Sequence, residues 1–368
     1  MNFFIDCHVF DDLSQGSKTY LKGLYSAALK GKADWNFYFA AFDSNVLQCE
    51  LPDYAHRHIE KLTSHNKLVR LGWEIPQLIK KSKSQFAHFQ YISPLVKTCS
   101  EILTIHDLLF LDFPEYFPVD YRLIKNFLFK RSAKRADLIL TVSEYSKDAI
   151  IRHYGISPTK IAITPNAVLE TFFDKGEVLP EINLKYGVSK YILYVSRIEP
   201  RKNHLGLLRS YCDLELWKEG IQLVFIGGVG IKSEEFTTYY TQLSKQVKEC
   251  IFFFENLSLP ELKAFYTKSL LSVYPSFAEG FGIPPLEAVA CGANVLCSNT
   301  TAMKEFSFLG ERLFDPNDLN ELKEKISHYL SHPPGEAELT SMQERIRRTY
   351  NWDASAGVLI DRISKLDH

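Results

Sequence analysis

No run in this 368-residue chain reaches the roughly 18 consecutive apolar residues that a membrane span requires. The first residues, Met1-Asn2-Phe3-Phe4-Ile5-Asp6, carry neither a basic start nor a long apolar stretch, so a cytoplasmic protein is expected. Charge of one sign is also missing: the formal net charge is −1. Nucleic acid demands a concentrated basic surface, and this balance gives no support for such a partner. The seven cysteines, at 7, 49, 99, 212, 250, 291 and 297, form no CxxC pair and no disulfide-like framework, which fits reduced thiols and argues against zinc. Internal repeats and low-complexity tracts are lacking, which sets aside solenoids and disordered tails. A complete glycine fingerprint is lacking too. Gly227-Gly228-Val229-Gly230 has only a fragment of the dinucleotide spacing, and the acid about 20 residues on, Glu249, stands in the wrong context, so no nicotinamide site is expected.

What the chain does have is apolar content, 46% of its residues, and a length beyond one ordinary core. Two α/β domains of comparable size are expected. Short apolar runs at 3–5, 37–42, 102–105, 138–142, 161–164, 191–195, 223–226, 251–254, 271–274 and 295–297 read as buried parallel strands. Helical spacing at 18–30 and 260–269 falls between such runs, giving a doubly wound α/β class. The strand pattern stops around Pro165-Asn166-Ala167-Val168, and the polar stretch 174–190 reads as a connection. The expected division is a first domain over 1–170, a second over 171–350, and a terminal helix over 351–368 led by Trp352. Ligands of such sheets bind at the carboxyl ends of strands, here expected to face a cleft between the domains.

The most informative segment runs from Pro275 to Gly292. Gly280 and Gly282 let backbone N–H groups approach a ligand, and Pro284-Pro285 set a helix start expected to hold Glu287 in its first turn. A helix start attracts anions. Glu279 and Glu287 can flank one molecule and accept hydrogen bonds from its hydroxyls, which suits a sugar joined to a phosphate. After the run at 191–195, Ser196-Arg197-Ile198-Glu199-Pro200-Arg201-Lys202 puts three cations past a strand end, where two of them suit a diphosphate leaving group. A solvated basic loop is the competing reading. Beside the 279–287 segment it loses ground.

In the first half, Thr104-Ile105-His106-Asp107-Leu108 ends an apolar run with a histidine able to exchange a proton near neutral pH. A structural His106, and an Asp107 that caps the following turn, are the plain alternatives. Asp11 to Tyr20, with Gly16, follows the first strand; with one glycine it reads first as an ordinary strand-to-helix loop. Arg122, Lys125, Lys130, Arg131, Lys134 and Arg135 interleave with Ile124, Phe127, Leu128 and Phe129. That helix either rests on anionic lipid, a peripheral membrane contact, or has one face in the core and a solvated basic face.

Together these residues resemble retaining glycosyltransferases of family 4, with two facing nucleotide-fold domains, the GT-B fold. The resemblance covers nearly the whole chain. Its sharpest marks are Glu279-x7-Glu287 and the loop 197–202; weaker ones are 104–108, Val142-Ser143-Glu144-Tyr145-Ser146-Lys147, Pro165-Asn166 and 223–228. It implies a nucleotide sugar bound mainly to the second domain and an acceptor on the first. Arg197 and Lys202 match the diphosphate-binding positions, Glu279 the acid on the donor sugar, and Glu287 the acid on the ribose hydroxyls. Gly280, Phe281 and Gly282 match backbone contacts to sugar and phosphate, His106 the group near the reacting carbon, and Gly16 part of a glycine loop over the phosphates. The turn 254–257 is expected beside the base, and the helix from Asn351 is expected to cross back to the first domain.

The resemblance further implies retention of configuration, same-face attack through an oxocarbenium-like state, no required metal and no cofactor besides the donor. The chain departs from the family at Gln15-Gly16, where many relatives carry two glycines, and at Ala167 and Glu255, where glycine is common. Similarity of 104–108 and Phe113-Pro114-Glu115-Tyr116-Phe117 to mannosyltransferases points to mannose from GDP-mannose, added to a lipid-linked surface glycan such as lipopolysaccharide. The rival expectation is a catalytically inactive sugar-nucleotide-binding partner subunit. Retained Arg197, Lys202, Glu279 and Glu287 argue against it.

Overall fold

The structure, a computed structural model, describes residues 1–11, 15–174, 176 and 178–366. The chain divides into two units, Met1–Ala167 with Asn351–His368, and Val168–Tyr350. Each unit is one parallel sheet.

In the first unit the strands are β1 (Asn2–Asp6), β2 (Asn36–Ala41), β3 (Arg57–Lys61), β4 (Phe86–Gln90), β5 (Ser100–Thr104), β6 (Leu138–Thr141) and β7 (Ile161–Ile163), in the order β3-β2-β1-β4-β5-β6-β7. The second unit has β8 (Tyr191–Val195), β9 (Gln222–Ile226), β10 (Ile251–Phe254), β11 (Leu271–Tyr274), β12 (Val295–Ser298) and β13 (Leu313–Phe314), in the order β10-β9-β8-β11-β12-β13. Both orders reverse once, at β1/β4 and at β8/β11. Those switch points leave a crevice at the carboxyl ends of their strands, the place where doubly wound sheets bind ligands.

All ten expected strands are present, and three more were not read. β3 is Arg-His-Ile-Glu-Lys, a polar edge strand without an apolar run. β4 is buried along its whole length but broken in sequence by His88, whose ring finds buried partners in Tyr25 (2.6 Å) and Thr104 (2.7 Å). β13 has only two residues.

Continuous apolar runs form the central strands because both faces are covered by helices. Phe3, Phe4 and Ile5 of β1 are fully buried, and the Phe3 ring lies 5.9 Å from Tyr25 and 6.1 Å from Phe86. Cutting Phe3 back to alanine should cost about 3–5 kcal/mol. The terminal helix Trp352–Leu366 belongs to this unit. Its Trp352 indole fills the space where a side chain at Gly23 of the helix Gln15–Gly31 would stand, and Ser355 Oγ donates to the Pro165 carbonyl at 2.8 Å.

Candidate functional site

The β8/β11 switch point of the second unit is built from two loops stitched to each other. After β8, Pro200 starts a short 3-10 turn, Pro200–Lys202, and Asn203 follows in the left-handed region at φ 54°, its side chain accepting from the Gly206 N–H at 3.0 Å to cap the helix His204–Asp213. After β11, the Phe277 N–H donates to the Arg201 carbonyl at 2.8 Å, and Arg201 Nη1 donates to the Ala278 carbonyl at 2.9 Å. Tyr194 of β8 fastens both loops: its hydroxyl donates to the Lys202 carbonyl (2.8 Å) and lies 3.1 Å from Ser276 Oγ.

These backbone ties bring the charges together. Lys202 Nζ is ion-paired to Glu279 Oε1, Arg201 Nη1 lies 3.2 Å from Glu279 Oε2, and Arg201 Nη2 lies 2.8 Å from Glu199 Oε2. Ser276 Oγ donates to Glu279 at 3.1 Å, and the Glu279 N–H donates to Thr301 Oγ1 at 2.9 Å. The side chains of Arg201, Lys202 and Glu279 are each 13% exposed. Burial alone would raise the Glu279 carboxyl, but the charges and hydrogen bonds of Lys202 and Arg201 hold it below its ordinary value. Burial lowers the Lys202 ammonium; Glu279 opposes this and Arg201 adds to it. With Arg197, Arg201 and Lys202 against Glu199 and Glu279, the cluster sums to 3 − 2 = +1. It is an ordered, partly dehydrated group of cations ready to meet an anion.

Arg197 sits differently. Its side chain is 69% exposed and reaches Glu199 at 3.2 Å, so the cation brought onto Glu279 beside Lys202 is Arg201. The sequence reading makes Arg201 one of three cations past the strand end, with Arg197 and Lys202 matched to the diphosphate, and gives Glu199 no role. The sequence signal for the places of Arg201 and Glu199 is Pro200, which converts an expected loop into a tight turn and brings two consecutive cations to one carboxylate.

The helix after the second loop runs Ile283–Ala290, so Glu287 is its fifth residue and lies beyond the first turn, correcting the sequence expectation. The start is set by Gly282 at φ 95°, where a Cβ would also crowd Met303. Pro284 and Pro285 have no N–H, so this helix start offers fewer donors to an anion than an ordinary one. Glu287 Oε2 accepts from the Tyr266 hydroxyl at 2.9 Å, and burial pushes its pKa up to about 7, the Tyr266 bond working in the opposite sense. Phe281 anchors its loop in the core, with its ring 5.9 Å from Phe306 and 5.8 Å from Tyr350. That leaves its backbone, with that of Gly280 and Gly282, as the part able to meet a ligand.

Gly227 to Gly230 serve close backbone packing. At Gly227, φ is 137° and a side chain would strike the Ser196 carbonyl. The Ile198 N–H donates to the Gly228 carbonyl (3.0 Å) and the Gly230 N–H to the Ile198 carbonyl (3.1 Å), tying this loop to the basic one. Glu255 follows β10 and lies against Gly228, with Asn256 next at φ 55°.

In the first unit, His106 follows β5. Its Nε2 donates to Gln90 Oε1 at 2.8 Å, and its ring stands edge-on to Tyr20 at 4.9 Å. Burial depresses its pKa to about 4, so the ring is neutral at physiological pH. Gln90 continues inward to His88, which burial holds near 3, and so to Thr104 and Tyr25. Asp107 Oδ1 accepts from the Leu109 N–H at 3.2 Å, a turn cap. Gly16 lies inside the helix Gln15–Gly31, with open space where a Cβ would stand, so it occupies the first turn and not a loop. Asp12, Leu13 and Ser14 of the expected loop lie outside the described residues. Among the described residues, no group of three or more His, Cys, Asp or Glu side chains is placed to hold a metal ion.

A doubly wound unit with cations held at its switch point defines a class that handles phosphate-bearing ligands. Residues 177–349 match the model for group 1 glycosyl transferases, and residues 38–169 match that for glycosyltransferase family 4. The O-antigen chain mannosyltransferase B of Escherichia coli is 30% identical over 257 residues, 68% of this chain and 67% of that protein. The O-antigen chain mannosyltransferase RfbU of Salmonella typhimurium is 30% identical over 61% of this chain and 59% of its own length. HepE of Anabaena, solved in complex with UDP-glucose, superposes with a TM-score of 0.71 at 14% identity, covering 99% of this chain and 100% of that one. The chain belongs to the family 4, group 1 glycosyltransferases, and its fold is the GT-B fold.

Proposed function

We propose that this glycosyltransferase moves mannose from GDP-mannose to a glycan acceptor on a lipid carrier in surface-polysaccharide synthesis, with retention of configuration and without a required metal. The observation that carries the reading is the Arg201–Lys202–Glu279 cluster at the β8/β11 switch point. In the reaction the bond from the anomeric carbon to the diphosphate oxygen breaks, and a bond to an acceptor hydroxyl forms on the same face. The hydroxyl proton leaves with the diphosphate. Lys202 and Arg201 supply positive charge where the leaving group gains negative charge, the task a divalent cation performs elsewhere. Glu279 orders those cations and accepts from sugar hydroxyls, while Glu287 takes the ribose hydroxyls. Arg197, at the solvent edge, adds a further phosphate contact. His106 and Gly16 enter this reading through the family resemblance alone. Mannose is supported by the two O-antigen mannosyltransferase relatives, and a nucleotide-sugar donor by the UDP-glucose complex of the structural neighbour.

The test is calorimetric binding and donor turnover with GDP-mannose, UDP-glucose, UDP-galactose and UDP-N-acetylglucosamine, in chelator. Tight GDP-mannose binding with turnover is expected. Preference for a UDP-sugar would overturn the donor, and activity only with added cation would overturn the metal-free mechanism.

A further inference from the structure

The basic helix in the first unit exposes more than the solvated basic face of the plainer of its two sequence readings. It runs Val119–Arg135 and buries Phe129, Ser132 and Ala133, yet Leu123, Ile124 and Phe127 point to solvent at 67%, 59% and 70% exposure. A helix with one face in the core should show polar residues there. The exposed apolar side chains continue onto two neighbouring segments. Arg131 and Arg135 donate to the Leu95 carbonyl (2.9 and 2.8 Å), and the Leu95 N–H donates to the Leu71 carbonyl at 3.0 Å, so the loop around Leu95 bridges this helix to the helical turns Lys67–Val69 and Arg70–Glu74. There Leu68 is 73% and Trp73 65% exposed.

The surroundings are basic. From Tyr121 to Arg135 the helix has six cations and no carboxylate; the nearest acid along it is Asp120, in its first turn. Arg135 is paired to Glu101, and Lys97 beside the loop to Asp137, which still leaves the helix with a surplus of positive charge. Lys67 lies close enough to Lys125 to add to the lowering that burial imposes on its ammonium, so cations of separate segments converge at this face.

We propose that Leu68, Trp73, Leu95, Leu123, Ile124 and Phe127 form one membrane-docking surface, which inserts at the headgroup boundary of an anionic bilayer while the surrounding lysines and arginines meet lipid phosphates. Apolar side chains and uncompensated cations on one face are what an interfacial site combines. A second copy of the chain would bring two positive faces together, which disfavours self-association through this surface. The inference does not rest on the proposed donor or acceptor, and its vesicle-binding readout needs neither.

The full chain is floated with vesicles of phosphatidylcholine alone and of phosphatidylglycerol mixed with phosphatidylcholine. Binding to the anionic vesicles should be at least about tenfold tighter and should weaken with salt. Leu123→Asp with Phe127→Asp should reduce it about tenfold or more, and Lys130→Glu with Lys134→Glu should remove its salt dependence, with unchanged circular dichroism and donor turnover in solution. Trp73→Phe should abolish a vesicle-induced blue shift in fluorescence. Equal binding to both vesicles, or full binding by the Leu123/Phe127 variant, would overturn the proposal. So would a dimer that the same variant splits, in a protein that ignores vesicles.

Discussion

The two switch points of this molecule are built from opposite materials. In the second unit, Arg201, Lys202, Glu199 and Glu279 are charged and hold one another in place; in the first, Gln90, His88, Thr104 and His106 form a neutral hydrogen-bonded chain. One sheet topology thus carries a charged cluster at one switch point and a neutral hydrogen-bonded chain at the other. The charged cluster stands in the loops after β8 and β11, whereas the neutral chain reaches into the strands themselves, through His88 and Gln90 of β4 and Thr104 of β5.

Breaking the charged side should have the largest effect. Lys202→Ala removes a partly dehydrated cation from the cluster, and turnover with saturating donor should fall about 100- to 1,000-fold. Arg197→Ala, at a 69% exposed side chain, should cost under about tenfold and act mainly through KM. Steady-state kinetics of the two variants check the ranking; equal losses would move Arg197 into the centre. Arg201→Ala should be the most destabilising of the changes within the charged cluster. It leaves Glu199, whose side chain is 5% exposed, without its fork and Glu279 with one cation, and urea unfolding should show a loss of about 3 kcal/mol. Arg201→Lys should recover only part of it, because a point charge does not span two carboxylates and a carbonyl.

On the neutral side the effects should be smaller. Gln90→Leu removes the acceptor that keeps His106 Nε2 protonated and strands that N–H, at about 1–3 kcal/mol of stability. As Gln90 acts through His106, kcat should fall about tenfold with KM nearly unchanged, and Gln90→Glu should restore part of it. A KM change with constant kcat would place Gln90 on the substrate instead.

How much of this was legible follows from what each side depends on. Apolar runs of three to six residues announce buried parallel strands, so the fold class and ten strands could be read from sequence. β4 could not, because His88 interrupts it, and a buried histidine is tolerable only once Tyr25 and Thr104 stand beside it, contacts 63 and 16 residues away. The site split the same way. Lys202 and Glu279 stand out by residue type and spacing. Arg201 was legible as one of three cations, but that it reaches Glu279 in place of Arg197, and that Glu199 joins it, arises from the turn at Pro200 and from backbone ties to Phe277 and Ala278. Glu287 is expected in the first turn because the paired prolines read as the helix start; the helix begins at Ile283, directly after the left-handed Gly282, so Glu287 is its fifth residue.

Acid and base titrations sharpen the contrast with the smallest expected signal. His88 and His106, held near 3 and 4, lie below the ordinary histidine value of 6.5. As pH falls below 6.5 the unfolded chain takes up protons that the folded chain refuses, and stability drops. His204 in the second unit is also held near 3, so that arm is shared and does not separate the units. Glu287 has the opposite sign. Its folded value of about 7 lies above 4.5, so its contribution is complete below 4.5 and is lost as pH rises through 7. Glu287→Gln keeps an acceptor for Tyr266 and removes the titration. The stability of the native chain relative to this variant should therefore fall by about 2 kcal/mol between pH 4.5 and 8, after allowance for the partial exposure of Glu287, and then level off. Urea unfolding of both proteins across that range reads the difference directly; a flat difference would mean that Glu287 is ionised throughout, as charged as the cluster around Glu279.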